Sequence, residues 1–345
     1  MAYRVTERVI VSDLVELPVV NHCNLSCRAC SHFSPVAPRS EGRPEQVRDD
    51  LAILSRSFHA GTIRLLGGEP LLHPKISEIA AVARASGVAD HVCLVTNGML
   101  LPRAPRELWE SVDMVEISFY PGHEIEEQSM SGVLEILRSA GVELTAMRVS
   151  GFREPYSAQG TTDEGLIRRI YNTCQIAHQW GCHSVQDGYF YKCPLAHLIP
   201  AYGAMDRHWS ATEDGVRLDD EASLFDSLTA YLLDSEPLQA CAYCLGSVGK
   251  LFPHEIIART GWHEPNKKTV PELIDWQFLE SLETMDPNAD GGTRTTAFAL
   301  GPDSPSEPPP TDCTAASAPR HAHFWDGMAE RLLGRTALRR LKRHH

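Results

Sequence analysis

Residues 13–30 read DLVELPVVNHCNLSCRAC and lead an apolar stretch directly into three closely spaced cysteines. The first eight residues have the apolar composition of a β-strand, and Cys23, Cys27 and Cys30 follow in the adjoining loop. No fourth cysteine is close enough in sequence to complete a tetrahedral site. The stretch therefore predicts a metal centre at the end of a strand, with one coordination position that no neighbouring cysteine fills.

A repeated strand and helix pattern follows this loop. Val47, Leu51, Leu54 and Phe58 recur at 4-3-4 spacing, which predicts a helix with one apolar face. Strands separated by helices of this length pair in parallel through right-handed crossovers, so the pattern predicts an α/β fold with an open or closed β/α barrel. The predicted strands after the first are 62–66, 91–96, 114–119 and 143–149.

Residues suited to chemistry follow the predicted strands at the same end. These stretches are GGEP (67–70), TNG (96–98) and SFYPG (118–122). The carboxyl ends of barrel strands form the rim that carries active sites, so we expect the three stretches to meet the cysteine loop there. Glu116 and Ser118 share one strand face, and we expect that face to point inward because a carboxylate buried in the apolar helix layer would be costly.

Composition limits the possible functions. With 345 residues, 43% of them hydrophobic, the chain can form a large core and a second, smaller module. The formal charge of −13 argues against general nucleic-acid binding. No apolar run reaches the ~20 residues of a membrane span, and the N-terminus lacks signal-peptide features, so we expect a cytoplasmic protein. Because thiols are kept reduced in the cytoplasm, the ten cysteines favour metal binding over disulfides.

Three interpretations of the cysteine triplet compete. Structural zinc needs four ligands and would have to recruit a histidine or a remote cysteine. Catalytic zinc keeps an open position, but three thiolates would make it a poor Lewis acid. A four-iron, four-sulfur cluster held by three cysteines leaves one iron free for another ligand, and this interpretation explains the triplet best.

The spacing Cys-x3-Cys-x2-Cys after the first strand, with GGEP after the second, resembles the radical S-adenosylmethionine (radical SAM) enzymes over residues ~10–150. The resemblance implies a partial (β/α)6 TIM-type barrel and a [4Fe-4S] cluster whose unique iron binds S-adenosylmethionine (SAM). It also implies an external one-electron reductant, such as flavodoxin or ferredoxin, and a 5′-deoxyadenosyl radical that takes a hydrogen atom from the substrate. The family's usual aromatic residue before the third cysteine is replaced by Ala29, and we expect Phe33 to supply this packing.

The resemblance also implies which residues contact SAM. Gly67 and Gly68 lack Cβ atoms, so the backbone can approach SAM closely. Glu69 is suited to accept hydrogen bonds from the ammonium group of SAM. Asn97 and Ser118, at the ends of the next two strands, are further predicted contacts. For Asn97 a plain Asn-Gly turn is an equally good interpretation.

A second group of cysteines lies beyond the barrel. Its segment SVQDGYFYKC (184–193) predicts a hairpin that turns at Asp187-Gly188. Four thiolates would complete the ligand shell of a metal centre. This cysteine-rich segment resembles the twitch domain, a shortened SPASM extension that holds an auxiliary [4Fe-4S] cluster. The four predicted ligands are Cys174, Cys193, Cys241 and Cys244.

Two alternatives remain open for this second group. Cys182 competes with Cys174 as the first ligand, and the family pattern of distances to the hairpin favours Cys174. Zinc is also possible, since four thiolates fit either metal. Cys93, in a core strand, and Cys313, in a stretch rich in Pro and Ser, are not expected to be ligands.

Composition and motifs together predict four regions. They are a barrel core (1–160), an auxiliary-cluster domain with C-terminal helices (161–286), a disordered linker (287–320) and a basic amphipathic tail helix (321–345).

The twitch-bearing proteins that the chain resembles include carbohydrate and aminocyclitol enzymes that dehydrogenate, dehydrate or epimerise at a carbinol carbon. We therefore predict a small polar substrate, with Arg148 and Arg153 as candidate contacts. A peptide-modifying enzyme of RiPP maturation is the alternative, although the few residues before the first strand leave no room for a leader-binding module. A non-catalytic iron–sulfur or zinc protein is the alternative of another class.

Overall fold

The structure is a computed structural model, and it describes residues 3–6, 8–205, 209–219, 222–262 and 267–284. The predicted linker (287–320) and tail helix (321–345) lie outside these residues. Within the described ranges, none of the helices has the length and apolar character that crossing a membrane requires.

Eleven strands occur in the described residues. They are β1 (Tyr3–Thr6), β2 (Val9–Val20), β3 (Phe58–Gly67), β4 (Ala89–Thr96), β5 (Met114–Phe119), β6 (Glu143–Arg148), β7 (Gly151–Arg153), β8 (His183–Gln186), β9 (Tyr189–Tyr191), β10 (Gly215–Arg217) and β11 (Leu251–Pro253).

Helices connect these strands and form most of the C-terminal part. They are α1 (Pro44–Leu54), α2 (Ile76–Ala85), α3 (Glu127–Ala140), α4 (Glu164–Asn172), α5 (Gln175–His178), α6 (Leu195–Tyr202), α7 (Leu224–Leu233), α8 (Arg259–Trp262), α9 (Val270–Leu273) and α10 (Trp276–Thr284).

The main sheet has the order β10-β9-β8-β2-β3-β4-β5-β6, with β1 also paired to β2. Strands β2 to β6 are parallel neighbours in chain order, and β8 lies parallel to β2 on its other side. The prediction of an α/β fold is confirmed, and this mostly parallel sheet is consistent with a partial TIM-type barrel. Its sixth parallel strand comes from the cysteine-rich part of the chain, because β8 joins the edge beside β2.

Two local predictions differ from the structure. Helix α1 ends at Leu54, and Phe58 begins β3, where it pairs with Ile10 of β2. The apolar spacing continued by coincidence, since a buried strand also requires Phe58 to be apolar. The sequence also predicts a helix near 104–111, between the predicted strands 91–96 and 114–119, but the structure has only a short 3-10 turn there, Arg106–Glu110, preceded by Pro105.

The hairpin prediction is confirmed. Strands β8 and β9 are antiparallel, and both Asp187 (φ 50°) and Gly188 (φ 79°) have left-handed backbone conformations. Two such residues in succession form the tight turn whose twist matches a hairpin.

The buried apolar residues form separate cores, two of which contact the cysteine-bearing parts of the chain or the sheet that leads into them. Helices α1, α2 and α3 pack on one sheet face through residues such as Leu51, Ile79 and Leu137. A second core joins Phe33, from the first cysteine loop, to Tyr156 and other residues of the C-terminal part. The first cysteine loop is therefore anchored to both parts of the chain.

Candidate active site at the cysteine loop

Cys23, Cys27 and Cys30 are free thiols that lie within electrostatic range of one another. Burial, reinforced by the charge of Cys30, raises the pKa of Cys23 to about 12. The pKa of Cys27 is raised by burial and by the charges of Cys30 and Cys23. Three neighbouring thiols that oppose each other's ionisation are a donor set that a bound cationic centre would stabilise.

This donor set fits a cluster better than it fits a single ion. No group of three or more His, Cys, Asp or Glu side chains within the described ranges could hold a metal ion. A four-iron, four-sulfur cube separates its ligands more widely than one ion does, because the cube lies between them. Three thiols facing a common space are compatible with that wider arrangement.

Backbone amides surround the sulfur of Cys30. Burial raises the pKa of this thiol, while the nearby backbone N–H groups of Ser34, His32 and Phe33 act in the opposite direction. The loop brings them there with left-handed conformations at Ala29 (φ 56°) and Phe33 (φ 54°). Donors directed at a sulfur stabilise its thiolate form, which is the form that binds metal.

Phe33 is fully buried, and its ring packs against Tyr156 (centroids 5.0 Å apart) and Trp262 (6.2 Å). It therefore ties the cysteine loop to the second core. The expectation that Phe33 also packs over a cluster stays a prediction.

Gly67 and Gly68 hold the GGEP stretch against the end of β2. Gly68 donates its N–H to Val20 O (2.8 Å), and Glu69 donates its N–H to His22 O (3.0 Å). A Cβ on Gly68 would lie 2.0 Å from His22 O, and one on Gly67 would lie 2.2 Å from Val20 O. Glycine is therefore required at both positions because the backbone of the GGEP stretch packs directly against the segment that leads from β2 into the cysteine loop.

Glu69 is fully buried and joins the ends of two strands. Its carboxylate accepts hydrogen bonds from the Thr96 hydroxyl (2.7 Å), the Asn97 N–H (2.9 Å) and the Leu71 N–H (3.1 Å). Burial raises its pKa, and these three donors act in the opposite direction. The carboxylate therefore positions the rim between β3 and β4, and its contact with a ligand ammonium stays a prediction.

Asn97 connects this rim to the first cysteine. Its Nδ2 donates to Asn24 Oδ1 (2.7 Å) and to Cys23 Sγ (3.8 Å). Four of the predicted rim positions, Gly67, Gly68, Glu69 and Asn97, are thus brought together with the cysteine loop.

Ser118 lies beside Tyr120, a site residue that the sequence did not single out. The Ser118 side chain hydrogen-bonds to the Tyr120 phenol, whose pKa is raised by burial and by the charges of Cys27, Cys30 and Cys23. Tyr120 therefore faces all three thiols. Its only signal in the sequence was its place in SFYPG at the end of a predicted strand.

A second missed feature comes from the C-terminal part. Residues 255–257 pair with residues 26–28, through Arg28 N–H to Glu255 O (2.8 Å) and Ile257 N–H to Ser26 O (3.0 Å). His254 Nε2 lies 3.2 Å from Cys27 Sγ, although the two residues are 227 positions apart. Nothing local in the sequence indicates such a pairing.

The second cysteine group lines one small, mostly apolar cavity. Burial is the main cause that raises the pKa of each of these thiols, and charges of the other members raise it further for three of them. These four thiols are also not arranged to hold a single ion, but four cysteines that line one cavity are compatible with the wider spacing of a four-cysteine iron–sulfur cluster. They are the four predicted residues, Cys174, Cys193, Cys241 and Cys244.

Cys182 has a different environment. Its thiol hydrogen-bonds to the carboxylate of Glu16 on β2. The contacts therefore favour Cys174 as the fourth cysteine of the cavity. Lys192 also lines the cavity and is buried, with its ammonium donating to Tyr171 Oη (2.9 Å) and Asp234 O (2.9 Å).

The sheet face opposite the helices carries a charged cluster. Arg64 donates to Glu116 Oε1 (2.8 Å), which agrees with the expectation that Glu116 points away from the helix layer. Glu16 is 6% exposed, and burial raises its pKa to about 7 against the opposing effect of Arg64. Two carboxyl groups and one guanidinium thus share this inner face.

The two predicted substrate arginines are engaged elsewhere. Arg148 pairs with Glu124 (2.9 Å) with 71% of its side chain exposed. Arg153 donates to Gly249 O (2.8 Å) and Asp275 Oδ2 (3.1 Å). These contacts do not support a substrate role for either arginine.

Comparison with known proteins shows a family similarity in the first part of the chain. The family model described as "Radical SAM superfamily" matches residues 17–149, a segment shorter than half the chain.

Curated relatives match over part of the chain. The GTP 3′,8-cyclase of Chlorobaculum tepidum is 38% identical over 108 residues, which cover 31% of this chain and 32% of that protein. The GTP 3′,8-cyclase of Synechococcus sp. is 30% identical over 176 residues, or 45% of this chain and 50% of that protein. The chain thus spans between a third and a half of the length of these relatives.

Among solved structures, BtrN in complex with AdoMet and 2-DOIA has a TM-score of 0.38 at 18% identity, over 53% of this chain and 73% of that chain. Native anSMEcpe with bound AdoMet and Cp18Cys peptide has a TM-score of 0.35 at 15% identity, over 52% and 74%.

Proposed function

We propose that the chain, whose residues 17–149 match the radical SAM superfamily model, is a radical SAM enzyme that binds a [4Fe-4S] cluster through Cys23, Cys27 and Cys30 and uses SAM to remove a hydrogen atom from a small polar substrate. When bound, these cofactors supply a reducing electron and the 5′-deoxyadenosyl radical derived from SAM. The observation that carries the proposal is the set of three mutually interacting thiols in the loop that follows β2.

The chain's own residues would hold this centre and its nucleotide. Backbone N–H groups of residues 32–34 would stabilise the bound thiolate of Cys30. Glu69 would keep the ends of β3 and β4 together, so that Asn97 stays against Cys23. Ser118 and Tyr120 would close the same space from β5.

The charge of the inner face supports a particular substrate class. Arg64 is already paired with Glu116 (2.8 Å), and Glu16, whose pKa burial raises to about 7, is partly protonated at neutral pH, so the face offers hydrogen-bonding groups with little net charge. Such a face suits a substrate that carries amino or hydroxyl groups, as a sugar, an aminocyclitol or a related natural-product intermediate does. A nucleoside triphosphate, as in the name of the curated relatives, carries several negative charges that the paired Arg64 would not neutralise, and is a poorer fit.

We propose dehydrogenation, epimerisation or dehydration at a carbinol carbon as the reaction. In a dehydrogenation the substrate loses a hydrogen atom to the radical, then a proton to a base, and one electron remains. Cys174, Cys193, Cys241 and Cys244 surround the cavity where an auxiliary [4Fe-4S] cluster would bind to accept it. An external one-electron reductant, such as flavodoxin or ferredoxin, would supply the first electron.

The test is anaerobic reconstitution with iron and sulfide, followed by dithionite and SAM. We expect about eight iron atoms per chain and formation of 5′-deoxyadenosine. Alanine at Cys23, Cys27 and Cys30 together should leave about four iron atoms and abolish the nucleoside product. Cys93→Ala is the matched control, since Cys93 is a buried thiol that we do not propose as a ligand.

Stable zinc with no nucleoside product would contradict the proposal and favour a non-catalytic metal protein. Substrate class is tested separately, by deuterium transfer from labelled aminocyclitols, sugars, peptides or GTP into 5′-deoxyadenosine. Deuterium transfer that occurs only from GTP, or only from a peptide, would contradict the proposed substrate class.

A further inference from the structure

We propose that His254 donates a hydrogen bond from Nε2 to the sulfur of Cys27 and thereby raises the reduction potential of the cluster on the first cysteine loop. This inference rests on the proposed function, because it requires that Cys27 binds a cluster. It assigns a positioning residue in the C-terminal part of the chain to a centre in the N-terminal part.

The first step is the position of the ring. His254 Nε2 lies 3.2 Å from Cys27 Sγ, a distance well within hydrogen-bonding range for sulfur. The ring stacks on Tyr120, with centroids 4.8 Å apart and an interplanar angle of 21°, and it contacts Phe152 at 5.9 Å. Contacts on its sides therefore hold the imidazole toward the sulfur.

The second step is the backbone that carries the ring. His254 donates its N–H to Ser150 O (2.8 Å), directly after β11, which pairs with β7. The next residues pair with the cysteine loop itself, where Cys27 and Ile256 form an isolated antiparallel bridge. Arg28 adds an ion pair to Glu255 (3.2 Å), and its guanidinium lies over the Phe252 ring (4.2 Å). This segment is therefore attached to the loop on both sides of His254.

The third step is the direction of the hydrogen bond. A cysteine sulfur that is bound to iron carries no proton and can only accept. Nε2 must then carry the hydrogen, which the neutral ring allows in one of its two tautomers.

The fourth step is the consequence for the cluster. Reduction adds negative charge to the cluster and its sulfur ligands, so a donor at Cys27 stabilises the reduced state more than the oxidised state. Hydrogen bonds to the sulfurs are among the factors that set iron–sulfur potentials. Loss of this donor should shift the midpoint potential to more negative values.

The experiment uses the full chain, reconstituted with both clusters. His254→Phe keeps an aromatic ring for the stack on Tyr120 and removes the donor, whereas His254→Gln retains an N–H. His123→Phe is the matched control, since His123 contacts the edge of the His254 ring at 6.0 Å. The readout is the midpoint potential of the EPR signal that changes when SAM is added, with iron content measured in parallel.

We expect His254→Phe to have a lower midpoint potential than the wild type, His254→Gln an intermediate one, and His123→Phe the wild-type value. Equal potentials in the wild type and His254→Phe, at equal iron content, would overturn the assignment of His254 and leave the proposed function intact. A wild-type chain that binds no iron would instead overturn the proposed function.

A measurement on the wild type alone covers the case in which His254→Phe does not retain its cluster. Electron–nuclear double resonance of the reduced protein should detect an exchangeable proton and, after ¹⁵N-histidine labelling, a nitrogen coupled to the SAM-sensitive cluster. Absence of both couplings would refute the hydrogen bond.

Discussion

Glu16 gives the inner face a pH dependence that can be measured as stability. Burial raises its pKa from 4.5 to about 7, so between these values the folded protein holds a proton that the unfolded chain has released. Its contribution to stability is complete below about pH 4.5 and is lost as the pH rises through about 7. The full shift corresponds to roughly 3 kcal/mol.

Glu16→Gln should remove this dependence, because the amide resembles the neutral acid and does not ionise. We expect the variant to be about as stable as the wild type at pH 5 and more stable by about 2 kcal/mol or more at pH 8. Urea denaturation at the two pH values measures the difference. If the variant and the wild type differed in stability by the same amount at the two pH values, Glu16 would be ionised in the folded protein at both of them.

Cys174 and Cys182 can be separated by iron content. Cys174 lies in the cavity with three other thiols, while the thiol of Cys182 is hydrogen-bonded to Glu16. Cys174→Ala should therefore lower iron from about eight to about four atoms per chain, and Cys182→Ala should leave it unchanged. Iron analysis after anaerobic reconstitution checks both variants, and the opposite pattern would make Cys182 the ligand.

Residue type explains why the cysteine sets were predictable and their neighbours were not. Cysteine spacing carries chemical information on its own, so the sequence alone divides seven thiols into two sets, and the structure places the members of each set near one another. Tyr120 and His254 are ordinary residues whose importance comes only from what lies beside them. Glu69 was found by its motif, but its buried contacts to Thr96 and Asn97 needed the fold.

At the scale of elements, the GGEP turn depends on the absence of a side chain. Gly68→Ala would place a Cβ 2.0 Å from His22 O and 2.9 Å from Cys23 N, and both neighbours are backbone atoms. The turn would have to move away from the cysteine loop, so we expect a loss of at least about 2 kcal/mol in stability. Thermal and urea denaturation of the metal-free protein measure it.

Gly132→Ala is the control for this substitution. Gly132 lies in α3 with open space around its Cβ position, so alanine there should stabilise the protein by about 0.5–1 kcal/mol. A Gly68→Ala protein as stable as the Gly132→Ala protein would show that the turn tolerates a side chain.

Elements with a local signal were predictable, and pairings between distant elements were not. Alternating strands and helices from β2 to β6 follow from apolar periodicity within each segment. The position of β8 beside β2 depends on contacts such as Val15 to His183, two residues that are farther apart in sequence than the whole predicted barrel core (1–160) is long. The pairing of residues 255–257 with the cysteine loop likewise leaves no periodic pattern.

At the scale of the whole molecule, the N-terminal cysteine loop depends on the C-terminal part for its surroundings. Strand β8 covers the edge of β2, which leads into the loop, and residues 255–257 pair with residues 26–28. Phe33 packs against Tyr156 and Trp262, so its apolar contacts also require both parts. A fragment of residues 1–160 would lose three of these four supports and leave a parallel edge strand exposed.

We therefore expect fragment 1–160 to aggregate and to bind much less than four iron atoms per chain, even though it contains Cys23, Cys27 and Cys30. Fragment 1–286 is the matched control, because every contact named here lies within it, and it should bind as much iron as the full chain. Size-exclusion chromatography and iron analysis after reconstitution compare the two. A soluble fragment 1–160 with about four iron atoms would show that the loop forms its centre without help from the rest of the chain, and the influence proposed for His254 would then be confined to the potential of that centre.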